Sequence, residues 1–167
     1  GLVDLAAAHG TGEPGALRRS IGEATIRLPG TSADLIAGIR SPAQGASVAQ
    51  LWPALAEELR SGSATRPEDL IIDAGRLGMQ FTPWPLIDAA DLVLLVSRAT
   101  LPAVAAARGW GRELHERFAA TGTADRLGLL LVGPGHTFST GEVRDALGLP
   151  VLCTLPWDPR TAQAIHL

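Results

Sequence analysis

The chain has 167 residues, Ala, Leu and Gly rich, a length that suits one domain able to bury a core of its own. Its formal net charge of -3 excludes a general polyanion footprint, so net charge gives no indication of nucleic acid, and its one cysteine, Cys153, excludes an internal disulfide and fits a reducing compartment. No signal peptide is visible and no apolar run approaches the roughly 20 residues of a bilayer span, so the sequence reads as cytoplasmic, with no transmembrane segment.

In chain order, Leu2 to His9 predicts a short apolar helix stopped by Gly10 and by the Gly/Pro-containing segment to Gly15. A strand is expected over Ala24 to Leu28, ended by the turn signal Pro29-Gly30. Asp34 to Ile39 reads equally as a strand or as one helical turn. After a linker at Ser41 to Gly45, Ser47 is placed to cap a helix to about Arg60, with Val48, Leu51, Leu55 and Leu59 at helical spacing and Pro53 in its early turns.

The second half is more regular. Leu70 to Asp73 and Asp91 to Ser97 predict strands, the latter through Leu92-Val93-Leu94-Leu95-Val96. Apolar runs without alternation imply burial on both faces, as in a parallel sheet covered by helices. A short helix or turn is expected at Pro85 to Ala90 and a long helix at about Leu101 to Ala120, with Leu101, Val104, Leu114 and Phe118 facing the core. Then come a strand at Leu127 to Val132, a helix from Thr140 to Leu147, a strand at Val151 to Leu155 that buries Cys153 as an inert thiol, and a terminal turn or helix near Arg160. Alternating strands and helices point to one three-layer α/β domain with right-handed crossovers, four of whose strands come from this half.

Asp73 ends its apolar run and is expected at the carboxyl edge of the sheet, where such folds bind ligands. With Gly75 and Gly78 allowing the following loop to approach an anion, the carboxylate could hold a magnesium-bound water; a helix cap or a loop anchor explains it as well. Phe81, Pro83, Trp84 and Pro85 suit either contact with a protein partner or cover for the sheet edge. Three later loops are expected on the same edge: Ser97 to Thr100, where Arg98 could meet an anion; Gly133 to Thr140; and Pro156 to Arg160, where Trp157 could flank a ring. Ser139 or Thr140 caps the helix that follows, which makes Glu142 a capping residue in preference to a catalytic acid. The histidines lack metal-ligand spacing, and neither G-x-S-x-G nor G-x-G-x-x-G occurs, which argues against zinc, serine-hydrolase and dinucleotide chemistry.

With these segments placed, the order resembles the ParA/MinD family of deviant P-loop ATPases, which act in chromosome partitioning, septum placement and pilus or secretion-apparatus assembly. Leu70-Ile71-Ile72-Asp73-Ala74-Gly75 resembles the family's strand and switch loop, and Ala89 to Thr100 its next strand and turn. Gly128 to Gly135 is similar to the strand that leads to an adenine-reading pair, with Gly133 and Pro134 in place of Asn-Arg. Leu149 to Arg160 is similar to the closing strand and the base-side loop. The resemblance covers about residues 66 to 165 and implies a P-loop NTPase-like, mostly parallel sheet. It also implies ATP and Mg as cofactors, Asp73 at the metal, and Gly75, Gly133, Pro134, Pro156, Trp157 and Asp158 at the nucleotide.

The motif G-x-x-x-x-G-K-[ST], whose amides and lysine grip the phosphates, is absent from these residues. Gly1 to Ala8 resembles the short helix after the family's second strand, so the chain is expected to be the C-terminal portion of a longer ATPase, with a sheet incomplete on its N-terminal side. Such a chain is expected not to hydrolyse ATP and to complete its sheet as a homodimer or with a second polypeptide. The alternative expectation is a non-catalytic protein-interaction scaffold on the same fold.

Overall fold

A computed structural model of the protein describes residues 1–63, 69–133 and 137–165. The chain divides into two compact units, Gly1–Ala89 and Ala90–Leu167.

The first unit is mostly helical. It contains α1 (Leu2–Gly10), α2 (Ala16–Ala24), an antiparallel hairpin of β1 (Thr25–Arg27) and β2 (Asp34–Ile36), then α3 (Gly45–Ala49), α4 (Trp52–Ser63) and α5 (Trp84–Ala89). Its core gathers Leu5 of α1, Val48 of α3, Leu51 between α3 and α4, Leu55 and Ala56 of α4, and Leu86 of α5. Each large side chain buried there contributes about 1.5–3 kcal/mol of transfer free energy. Leu17 and Ile21 of α2, one helical turn apart, pack on that cluster, which explains a helix in a stretch with no strong local signal for one.

The helix expected from Ser47 to Arg60 is two helices. Pro53 has no N–H to return to Ala49, so the chain tightens instead, with Leu51 N–H donating to the Val48 carbonyl at 2.9 Å. Helical bonding resumes where Leu55 N–H donates to the Leu51 carbonyl at 2.9 Å.

The second unit is α/β. Its order is β3 (Val93–Arg98), α6 (Leu101–Ala120), a 3-10 turn at Ala124–Arg126, β4 (Leu127–Val132), α7 (Thr140–Leu147), β5 (Val151–Leu155) and α8 (Pro159–Ile165). The three strands form a parallel sheet in the order β3-β4-β5, with Val93 opposite Leu127 and Leu129 opposite Val151. Helical crossovers are what parallel neighbours require. α6 buries Val104, Ala107, Leu114 and Phe118, and β4 buries Leu127, Leu129 and Leu131. Gly111 lets α7 approach α6, since a Cβ there would stand 3.1 Å from the Leu147 carbonyl oxygen.

Three expectations are corrected. Leu70 to Asp73 is not a strand: the segment joins no ladder, and Leu70, Ile71 and Ile72 are exposed. Without a hydrogen-bonded neighbour an apolar run has nothing to make it a strand. Leu101 opens α6 on its solvent side instead of in the core. Cys153 is exposed, because β5 is an edge of the sheet and only its first residue is partly covered. Among the described residues, no helix is long and apolar enough to cross a membrane.

Candidate functional site

In the first unit Asp73 lies in an irregular, exposed segment. One carboxylate oxygen accepts the Gly75 N–H at 2.8 Å, a turn that Gly75 completes at φ +72. That bond is the loop-anchor role, and it leaves the second oxygen unengaged by any described residue. Among the described residues no group of three or more His, Cys, Asp or Glu side chains could hold a metal ion. One free carboxylate oxygen therefore fits magnesium held mainly by water and phosphate oxygens, and does not fit a closed protein cage.

Further along, the loop before α5 is fixed by its backbone. Phe81 adopts φ +70, its carbonyl accepts the Trp52 indole N–H at 3.2 Å, and its ring lies over Gly45. Pro83 is buried and Trp84 and Pro85 are half-buried, so most of this aromatic segment is packed and not free for a partner.

In the second unit the parallel register brings three strand ends to one edge: Arg98 stands opposite Val132, and Val132 opposite Leu155. Backbone bonds tie them, with Ala99 N–H donating to Val132 and Gly133 N–H to Leu155. The ends of the three strands that open the expected loops share an edge, and residues 134–136 of the second loop lie outside the described residues; Asp73, expected on that same edge, belongs to the first unit and to no strand. Gly133 takes φ +65 at the end of β4, a left-handed position that explains a glycine there without a ligand. Pro134 lies outside the described residues. Pro156, Trp157 and Asp158 follow β5 and are exposed.

Two side chains from opposite edge strands meet across this end. The Arg98 guanidinium lies 4.1 Å from the centre of the Trp157 ring, a cation–π stack. Ser97 beside it is buried, and its hydroxyl donates to the Arg98 carbonyl at 3.2 Å, so it neither caps α6 nor faces a ligand. Asp158 is spent on α8: one oxygen accepts the Arg160 and Thr161 N–H groups, both at 3.1 Å, and the other accepts the Thr161 hydroxyl at 2.6 Å. The Thr161 hydroxyl first, then these backbone donors, hold its carboxyl below the usual aspartate range.

The cap on α7 is the one expected. Ser139 accepts the Glu142 N–H, and the Glu142 carboxylate accepts from the Ser139 N–H at 2.8 Å and its hydroxyl at 2.7 Å. Those donors, the backbone one foremost, lower the Glu142 carboxyl and assign it to capping. The Arg98–Trp157 stack and the Phe81 turn escaped the sequence reading, since no local pattern encodes either contact.

No protein-family model matches the chain. Over 112 residues it is 33% identical to the uncharacterized proteins MT3760 and Rv3660c of Mycobacterium tuberculosis, a match that covers 60% of this chain and 30% of theirs. Its fold is similar to the crystal structure of a ParA family ATPase from Chlorobium tepidum TLS, with a TM-score of 0.66 at 16% identity, over 97% of this chain and 62% of that one. The chain thus has a ParA-like mixed α/β fold whose parallel three-stranded sheet agrees with a P-loop NTPase-like topology. It spans less than two thirds of each of these proteins.

Proposed function

We propose that these residues form the C-terminal portion of a single ParA/MinD-like α/β domain, a cytoplasmic nucleotide-dependent switch or positioning protein, and that the 167-residue chain does not itself hydrolyse ATP. The observation that carries this is the likeness of nearly the whole chain to part of a ParA family ATPase. The absence of G-x-x-x-x-G-K-[ST] from the sequence supports the second clause, because that loop supplies most of the donors to a bound triphosphate. In a complete protein ATP would bring the phosphate charge and its magnesium. The free oxygen of Asp73 would orient a metal-bound water, while the Gly75 turn keeps that carboxylate in place. Within the second unit, Gly133, Pro156 and Trp157 are the described residues that would border a base, as the resemblance implies.

The steady-state test is direct. The purified chain should show no magnesium-dependent ATP turnover; turnover abolished by Asp73→Ala would refute the proposal.

A second reading, a protein-interaction scaffold, is favoured by β3. Among the described residues it has a neighbour on one side only, and Leu92 and Val96 are exposed in and beside a strand of central-strand composition. In the 167-residue chain by itself, that edge is open to a second copy or another polypeptide. Sedimentation should therefore show association that grows with concentration, and a monomer at every concentration would count against it.

A further inference from the structure

Arg98 ends β3 at the carboxyl edge of a parallel sheet, the side on which open α/β sheets take ligands. Its guanidinium carbon lies 4.1 Å from the centre of the Trp157 ring, a cation–π contact that holds the charge at this edge and forms no hydrogen bond with the ring plane. Arg18, Arg19, Arg27, Arg60 and Arg144 each meet a carboxylate. Arg98 meets none among the described residues, and the carboxylate beside Trp157, that of Asp158, is already saturated by α8. The result is an exposed cation held against an aromatic ring, with planar donors and no carboxylate acceptor among the described residues.

We infer that Arg98, positioned by Trp157, is an anion-recognition group that takes two oxygens of a phosphate group on a small ligand through its in-plane N–H donors. This rests on the reading of that edge as the ligand edge. It deepens that reading by assigning charge recognition to a residue outside the missing phosphate loop. A guanidinium suits the role because its fork matches two oxygens at once, which a lysine does not. Trp157 is half-exposed, which leaves it surface for a planar group attached to the anion to lie on.

The test titrates the 167-residue chain with sodium tripolyphosphate, ATP and adenosine, followed by tryptophan fluorescence and calorimetry. Arg98→Gln, Arg98→Lys and Trp157→Leu are compared, their folding checked by circular dichroism. Tripolyphosphate and ATP should bind the unchanged chain and weaken by about tenfold or more in Arg98→Gln, with Arg98→Lys intermediate and Trp157→Leu weakened less. ATP and adenosine binding equally well to the unchanged chain and to Arg98→Gln would overturn the inference and leave the nucleotide reading standing. Arg98-dependent binding of tripolyphosphate, with no added affinity for ATP, would uphold the inference and remove the nucleotide. No binding of any probe would overturn both.

Discussion

Leu127–Val132 and the run Leu70-Ile71-Ile72 are both short stretches of Leu, Ile and Val, yet in the first Leu127, Leu129 and Leu131 are buried in a ladder, while in the second Ile71 is 92% exposed. β3 stands between them, with one hydrogen-bonded neighbour and intermediate burial at Val93, Leu94 and Leu95. Across the three, burial rises with the number of neighbours. The backbone preference of apolar residues for extended structure is thus weak on its own, and cross-strand packing decides whether it becomes a strand.

Leu129→Ala and Ile71→Ala separate the two situations most sharply. Leu129 is 0% exposed, so its truncation removes packed area and leaves a cavity, at a cost of about 2–5 kcal/mol. Ile71→Ala should change stability by less than about 0.5 kcal/mol, the usual range for exposed sites. Urea unfolding of both variants measures the difference. If Ile71→Ala costs as much as Leu129→Ala, the run is buried in solution and the contrast fails.

A smaller effect tests the same lesson in the first unit, where a tight contact replaces a ladder. A Cβ on Gly45 would stand 2.7 Å from a Phe81 ring carbon, and Phe81 is itself held at φ +70. Gly45→Ala should cost about 1–3 kcal/mol by overpacking, read again from urea midpoints. An unchanged midpoint would mean that the Phe81 ring swings aside freely.

What the sequence made legible follows the same division. α6, β4, α7 and β5 lie where the sequence places them, because periodicity, continuous apolar runs and the Ser139–Glu142 cap are local signals. The break at Pro53 was local too, but the proline was assigned to an early helical turn when it starts a new helix. Leu70–Asp73 and Cys153 were misread for a different reason: each depends on which strand lies alongside, and residues near in sequence carry no record of that. At the candidate edge, the common end of β3, β4 and β5 follows from parallel strands and is legible, whereas placing Asp73 there relies on a strand that does not form. The stack of Arg98 on Trp157 joins two loops distant in sequence, and only the fold shows it.

A modest loss is expected at the most legible feature. The Ser139 cap on α7 satisfies helix N–H groups that have no carbonyl of their own, so Ser139→Ala should cost about 1 kcal/mol. Glu142 adds a pH dependence whose sign follows from its bonds. Its carboxyl is lowered in the folded chain by the Ser139 donors, so the unfolded chain takes up a proton first as pH falls. The stabilisation is fully present above the ordinary glutamate range and is lost as pH falls through the lowered folded value. Glu142→Gln should flatten that limb of the stability profile as pH falls below the ordinary glutamate range, measured by urea unfolding at stepped pH. Asp158, lowered by the donors of α8, titrates in the same direction and persists in that variant, so part of the slope should remain. A profile unchanged by Glu142→Gln would show that the carboxylate bonds of the cap are absent in solution, and α7 would then join Leu70–Asp73 among the segments whose state is decided from outside.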